Sequence, residues 1–199
     1  RYWRADCYYK QAKYAQCRTD YEAFLMSAGA RSTKEFNLAY YNIGYAYFNE
    51  KKYESALSSF LKYLNIESNH KKATYIDAEN RVGDCYFINR EFASAQKYYT
   101  QAADTKQPGT DYSVFQQAFV KGLQKDYNGK ISTLLQLTEN FPKSEYCDDA
   151  MYEIGHSYMM LENYEKAREA YTKLYDAYPT SSLARKGMLQ KGMLYYNQN

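Results

Sequence analysis

Apolar residues recur at i, i+3, i+4 and i+7 along nearly the whole chain, interrupted by polar breaks such as "NEKK" (Asn49 to Lys52) and "LEN" (Leu161 to Asn163). That period lays the apolar side chains along one helical face. Each stretch therefore predicts an amphipathic helix, and each short break a tight connection between two antiparallel helices. The longer breaks "QPGTD" (Gln107 to Asp111), "FPKS" (Phe141 to Ser144) and "YPTSS" (Tyr178 to Ser182) carry stop and start signals. Proline cannot continue a helix, and Ser, Thr or Asp can satisfy the free amides that open the next one. With only 3 Pro and 9 Gly in 199 residues, and few β-branched runs, the fold class is all-α.

The pattern also repeats on a longer scale. "YNIGYAYFNEKKYESA" (Tyr41 to Ala56) reappears as "NRVGDCYFINREFASA" (Asn80 to Ala95) and "YEIGHSYMMLENYEKA" (Tyr152 to Ala167). Alignment puts Gly44, Gly83 and Gly155 in one column, extended at intervals of 35 to 39 residues by Ala5, Ala118 and Gly192. Three positions on stand Tyr8, Tyr47, Tyr86, Lys121, Tyr158 and Tyr195; nine on, Tyr14, Tyr53, Phe92, Tyr127 and Tyr164. Twelve on stand Cys17, Ala56, Ala95, Lys130 and Ala167, and four beyond those Tyr21, Phe60, Tyr99, Leu134 and Tyr171. Such a period marks helical hairpins that bury their aromatic faces by stacking on their neighbours.

The predicted units are 1–31, 32–70, 71–107, 108–142, 143–179 and a partial 180–199, about eleven helices in a single solenoid. Glycine inside a helix costs about 1 kcal/mol relative to alanine, so its recurrence predicts a close approach of the paired helix. The sequence reading sets Gly44 against Ala56, Gly83 against Ala95 and Gly155 against Ala167. One unit departs: Gln117, Lys121 and Lys130 replace residues that are apolar or small elsewhere, and Gly122 offers a second register. Looser or shifted packing, and any joint, is expected in Tyr112 to Phe141.

The stretch "YEIGHSYMMLENYEKAREAYTKLYDAYP" places Ile154, Gly155, Tyr158, Ala167, Tyr171 and Pro179 on the pattern of the tetratricopeptide repeat, and the chain resembles an array of such repeats. The resemblance implies a right-handed superhelix of antiparallel pairs, with opening helices on the concave face and second helices on the convex face. "FPKSEYCDDAMYEIGHSY" and "YPTSSLARKGMLQKGMLYY" further resemble repeats of bacterial cell-envelope proteins of the Tol-Pal coordinator and outer-membrane assembly lipoprotein kind. That implies a periplasmic or outer-membrane-associated location, with the cytoplasm as the alternative. The chain opens on Arg1 rather than Met and stops within a unit, so a longer array is expected.

The resemblance implies a non-catalytic scaffold that binds a peptide or partner protein on the concave face. Projecting the opening helices onto that face selects Tyr41, Tyr45, Phe48 and Asn49; Asn80, Asp84 and Phe87; Phe115 and Phe119; Tyr152, His156 and Met159; and Leu189, Met193 and Tyr196. Rings dominate, and rings supply contact area at low entropic cost. The competing expectation is that rings at helical spacing are core. A structural spacer or self-assembling array, and a glycan-binding tyrosine surface, are the alternative functions, and homo-oligomerisation is compatible with all three. In the family's chaperone-tail binders a Lys and Asn constellation grips a terminal carboxylate; Tyr41, Tyr45, Tyr152 and His156 stand here instead, which argues against that partner class.

Other classes find little support. The 26 basic and 23 acidic residues are interspersed, giving net charge +3, and "HKK" (His70 to Lys72) reads as a solvated corner, so no nucleic-acid partner is expected. No apolar run approaches the ~20 residues of a spanning helix. Only His70 and His156 are available as histidines, and no nucleophile elbow, phosphate loop, zinc-protease or dinucleotide motif occurs, so neither enzyme activity nor a cofactor is expected. Cys7, Cys17, Cys85 and Cys147 lack metal-ligand spacing; a Cys7 to Cys17 disulfide across partner helices is an alternative to four packing thiols.

Overall fold

In the computed structural model, which describes residues 1–196, eleven α-helices and no strand occur among the described residues. The chain divides into two compact units, Arg1–Gln107 and a second beginning at Pro108. The first holds α1 (Tyr2–Lys10), α2 (Tyr14–Leu25), α3 (Glu35–Asn49), α4 (Tyr53–Ile66), α5 (Ala73–Ile88) and α6 (Phe92–Asp104), with a 3-10 turn at Ala30–Ser32. The second holds α7 (Asp111–Leu123), α8 (Tyr127–Asn140), α9 (Cys147–Met160), α10 (Tyr164–Ala177) and α11 (Ser182–Tyr196). The first unit stacks three antiparallel pairs of the tetratricopeptide-like kind, and the second stacks two such pairs and α11.

The tight turn inside each pair has one geometry throughout. Ala12, Lys51, Arg90, Lys125 and Glu162 all take a positive φ between 56° and 62°. The amide that follows each of them turns back to the opening helix: Lys13 to Tyr8, Lys52 to Tyr47, Glu91 to Tyr86, Asp126 to Lys121 and Asn163 to Tyr158, at 2.9–3.0 Å. All five bonds fall in the same columns. The irregular unit therefore keeps the Ala118 register, and the shift to Gly122 does not occur. Asp126 and Asn163 also cap the second helix, accepting from the amides of Gly129 and Lys166 at 2.9 and 3.2 Å.

The repeated glycine admits a ring rather than an alanine. A Cβ built at Gly44, Gly83 or Gly155 would lie 2.6–2.7 Å from ring carbons of Phe60, Tyr99 or Tyr171. Those three rings are completely or almost completely buried. The predicted glycine–alanine contact is thus displaced by one helical turn: Ala56, Ala95 and Ala167 are fully buried, but the aromatic residue four positions on fills the notch. Gly192, in the same column by sequence, is exposed and has nothing within 4 Å of the added carbon; in α11 Gly187 lies against Tyr171 instead.

The irregular pair answers its charges partly within itself and partly on the next pair. Gly122 leaves room for the Lys130 stem, whose Cδ would be 2.9 Å from a Cβ there. Lys130 Nζ donates to Glu153 on α9 at 2.5 Å, and Lys121 Nζ donates to Thr133 Oγ1 at 2.8 Å. The Lys130 side chain is 8% exposed and that of Glu153 22%, so an orphaned lysine is desolvated more than an orphaned glutamate. Glu153→Gln is expected to cost about 1–2 kcal/mol, and Lys130→Met less than half of that, given partial screening. Urea unfolding of the two variants checks this; equal losses would contradict the account.

Neighbouring pairs in the second unit are pinned by the residues read as caps. Ser144 Oγ donates to Asp111 Oδ2 at 2.6 Å, and Ser181 Oγ to Asp148 Oδ2 at 2.7 Å. Each hydroxyl also accepts an amide two residues on, from Tyr146 and Leu183. The four cysteines are free thiols, with Cys7 exposed and Cys17, Cys85 and Cys147 buried, so no Cys7–Cys17 bridge is present. None of the described helices is long and apolar enough to cross a membrane.

Candidate functional site

In the first unit the opening helices α3 and α5 carry seven of the residues selected from sequence. Tyr41 and Tyr45 are half-buried: their rings meet edge to face at 5.1 Å and lie 6.0 and 5.3 Å from Phe60. Both hydroxyls donate to Asp77 Oδ2 on α5, Tyr41 at 2.8 Å. Burial, reinforced by the Asp77 charge, pushes both phenols far above their ordinary range, so they remain neutral donors. Phe48 rests on Tyr53 with the Arg81 guanidinium 5.9 Å above it, and Phe87 rests on Phe92. Asn49 is exposed and donates to the Tyr9 hydroxyl at 2.9 Å. Asn80 and Asp84 are buried, contrary to their selection as surface residues.

Between α1 and α3 lies a small cleft, about 190 Å³, lined by Asp6, Tyr9, Tyr21, Tyr41, Asn42 and Tyr45. Its polar groups point in a fixed sense. Asn42 Nδ2 donates to the hydroxyls of Tyr2 and Tyr21 at 3.1 and 3.0 Å, and Tyr21 in turn donates to Asp6 Oδ1. Tyr2 is pushed up to about 12 by burial and by Asp6. The hydroxyl protons of Tyr21, Tyr41 and Tyr45 are thus committed to carboxylates, and the cleft presents ring faces and acceptors.

The second unit presents a different surface. Phe115 stacks on Tyr146 at 5.1 Å and lies 5.7 Å from Phe119, which is 37% exposed beneath the Lys130 ammonium. Tyr152 is buried against Tyr171, with Lys186 Nζ 4.8 Å above its ring, and so is core rather than strip. Met159 is half-buried and its sulfur accepts from the Tyr171 hydroxyl at 3.1 Å. His156, Leu189, Met193 and Tyr196 are exposed. The continuous ring strip is therefore broken: exposed candidates alternate with rings packed into the hairpins.

Sequence reasoning missed Asp6, Tyr9, Tyr21 and Asp77. A signal for two of them was available in the columns. Where Asp follows the small residue, at Asp6 and Asp84, the ring sixteen past that small residue is a tyrosine, Tyr21 or Tyr99, and its hydroxyl bonds that carboxylate. Where Tyr45 stands there, the ring is Phe60, which needs no acceptor.

These features define the class: an all-helical repeat scaffold whose hairpins are tetratricopeptide-like. Two family models, both described as "Tetratricopeptide repeat", match residues 38–70 and 148–181, so those two segments are tetratricopeptide repeats. Among solved structures, the chain is similar to YrrB, described as "a TPR protein with an unusual peptide-binding site", at 22% identity, TM-score 0.70, covering 92% of this chain and 88% of that one. It is similar to MamA at 14% identity, TM-score 0.71, covering 87% and 93%. It is also similar to the apo form of RapI at 12% identity, TM-score 0.76, covering 98% and 76%. At these identities the likeness concerns the fold. No curated protein sequence matches the chain significantly.

Proposed function

We propose that the chain is a non-catalytic scaffold that binds an extended peptide or a segment of a partner protein on the face of its opening helices. The observation that carries this reading is the cleft between α1 and α3, whose rings and Asp6 carboxylate are held by hydrogen bonds between helices before any ligand arrives. Such preorganisation lowers the ordering cost of binding. The peptide-binding site of YrrB, a structure of the same fold, supports the reading. The bacterial-envelope setting rests on the resemblance of residues 141–196 to envelope repeats.

Selection from a randomised dodecapeptide display library against the whole chain tests this. Enriched peptides are expected to lose at least about tenfold in affinity on Asn49→Ala combined with Tyr9→Phe, with helicity unchanged. An equal loss from Glu54→Ala combined with Lys62→Ala, both exposed on the second-helix side, would move the site off the proposed face. Absence of any enrichment would overturn the reading.

A further inference from the structure

Asp6 and Asp84 hold the same position in the repeat, one residue past the small-residue column. Each accepts a hydrogen bond on Oδ1 from the tyrosine of its own second helix, Tyr21 or Tyr99. Their second oxygens differ. Asp84 Oδ2 takes the guanidinium of Arg81 at 2.7 Å, and Asp84 is buried. Three residues before Asp6, where Arg81 would stand, is Trp3, which is exposed; Asp6 is half-buried and has no cationic partner among the described residues. The chain therefore shows, within its own repeats, which group this carboxylate–tyrosine arrangement accepts.

The surroundings of Asp6 suit the same group. Tyr9, Tyr41 and Tyr45 contribute rings to the cleft, and a guanidinium or ammonium is drawn to ring faces as well as to a carboxylate. Asp77, 33% exposed, lies beyond Tyr41 and Tyr45 and adds negative charge, only part of which Arg81 answers at 3.7 Å. Burial together with Asp6 holds Tyr21 neutral far above its ordinary range, so the hydroxyl continues to donate to Asp6 and adds no competing charge. An anion entering the cleft would meet the Asp6 carboxylate and the hydroxyls of Tyr21, Tyr41 and Tyr45, whose protons already go to carboxylates, which disfavours acidic partners.

We propose that the Asp6 cleft is a recognition pocket for one basic side chain, preferentially arginine, of the bound peptide. This deepens the scaffold reading by naming the chemistry of its partner. The Asp6 Oδ2 oxygen receives the guanidinium as Asp84 Oδ2 receives Arg81, and Tyr9 with Tyr45 flanks its planar faces.

The test is a titration of the isotope-labelled chain with N-acetyl-arginine-N-methylamide, followed by amide resonances, with the citrulline analogue as the neutral isostere. The expected result is saturable shifts centred on Asp6, Tyr9, Asn42 and Tyr45, with millimolar affinity, at least about fivefold weaker for citrulline and for Asp6→Asn. Asp6→Asn retains an acceptor for Tyr21, so the melting curve should stay in place. Shifts scattered over other acidic surfaces, equal shifts with citrulline, or an unchanged affinity in Asp6→Asn would each overturn the proposal. Because the probe is a single residue, the result is independent of the display selection. Enriched peptides without a basic position would sink the arginine pocket alone, whereas arginine binding with no enriched peptide would sink the groove alone.

Discussion

Replacing Gly155 by leucine is expected to lower stability by about 3 kcal/mol, whereas Gly192→Leu in the same sequence column leaves it unchanged or slightly raised. The difference is geometric. An added Cβ at Gly155 lies 2.6 Å from Tyr171 Cε1, and Tyr171 is fully buried between α9, α10 and α11, so the ring has nowhere to go. At Gly192 the same carbon meets nothing within 4 Å, and leucine has the better helix propensity. Equilibrium urea unfolding followed by circular dichroism measures both. Combining Gly155→Leu with Tyr171→Ala should recover part of the loss, because the collision is removed while the cavity is partly refilled. A Gly155→Leu protein as stable as the parent would mean that the glycine column is not the seat of the ring.

The second large effect is a pH dependence centred on Glu79. This residue is 6% exposed on α5, its Oε2 has no hydrogen-bond partner, and burial pushes its carboxyl up to about 7 from an ordinary value of 4.5. The titratable groups that sense it are Tyr75 on the same helix and Tyr98 on α6, both raised by burial and neutral throughout this range. The folded chain therefore holds a proton that the unfolded chain releases between about pH 4.5 and 7. Stability should fall as pH rises through that window, by about 3 kcal/mol, and level off above it. Glu79→Gln should abolish the slope and raise stability at pH 8 by a similar amount. Asp20 acts in the opposite direction and at lower pH: Arg4, bonded to it, holds its carboxyl below the usual range, so its contribution is lost only as the solution becomes more acid. A flat profile from pH 5 to 8 in the parent protein would remove Glu79 from this role.

Much of the fold was legible in the residues. The small-residue column, the tyrosines three and nine positions on, and the Pro-Ser breaks mark paired helices, about eleven in number, and eleven helices stand among the described residues. Local periodicity suffices for this because helix formation and hairpin turns depend on neighbours close in sequence. The candidate face was less legible. Tyr41, Tyr45 and Tyr152 occupy surface columns by spacing, yet their rings pack against Phe60 and Tyr171. A ring is long enough to lean into either the core or solvent, and the pattern of letters does not say which.

The chain by itself determined its class: helices in pairs, stacked at a repeat above thirty residues, with a small residue recurring inside each opening helix. Only the tertiary structure decided that the ring comes from the residue after the alanine's turn. It alone showed that Lys130 is balanced by Glu153, and that Tyr41 and Tyr45 are bound to Asp77 while Asp6 faces a cleft with no cation of its own. The physical reason is one of range. Backbone periodicity is set within a few residues, but the fate of a carboxylate or a hydroxyl depends on partners 15 to 36 positions away, brought near only when the hairpins stack.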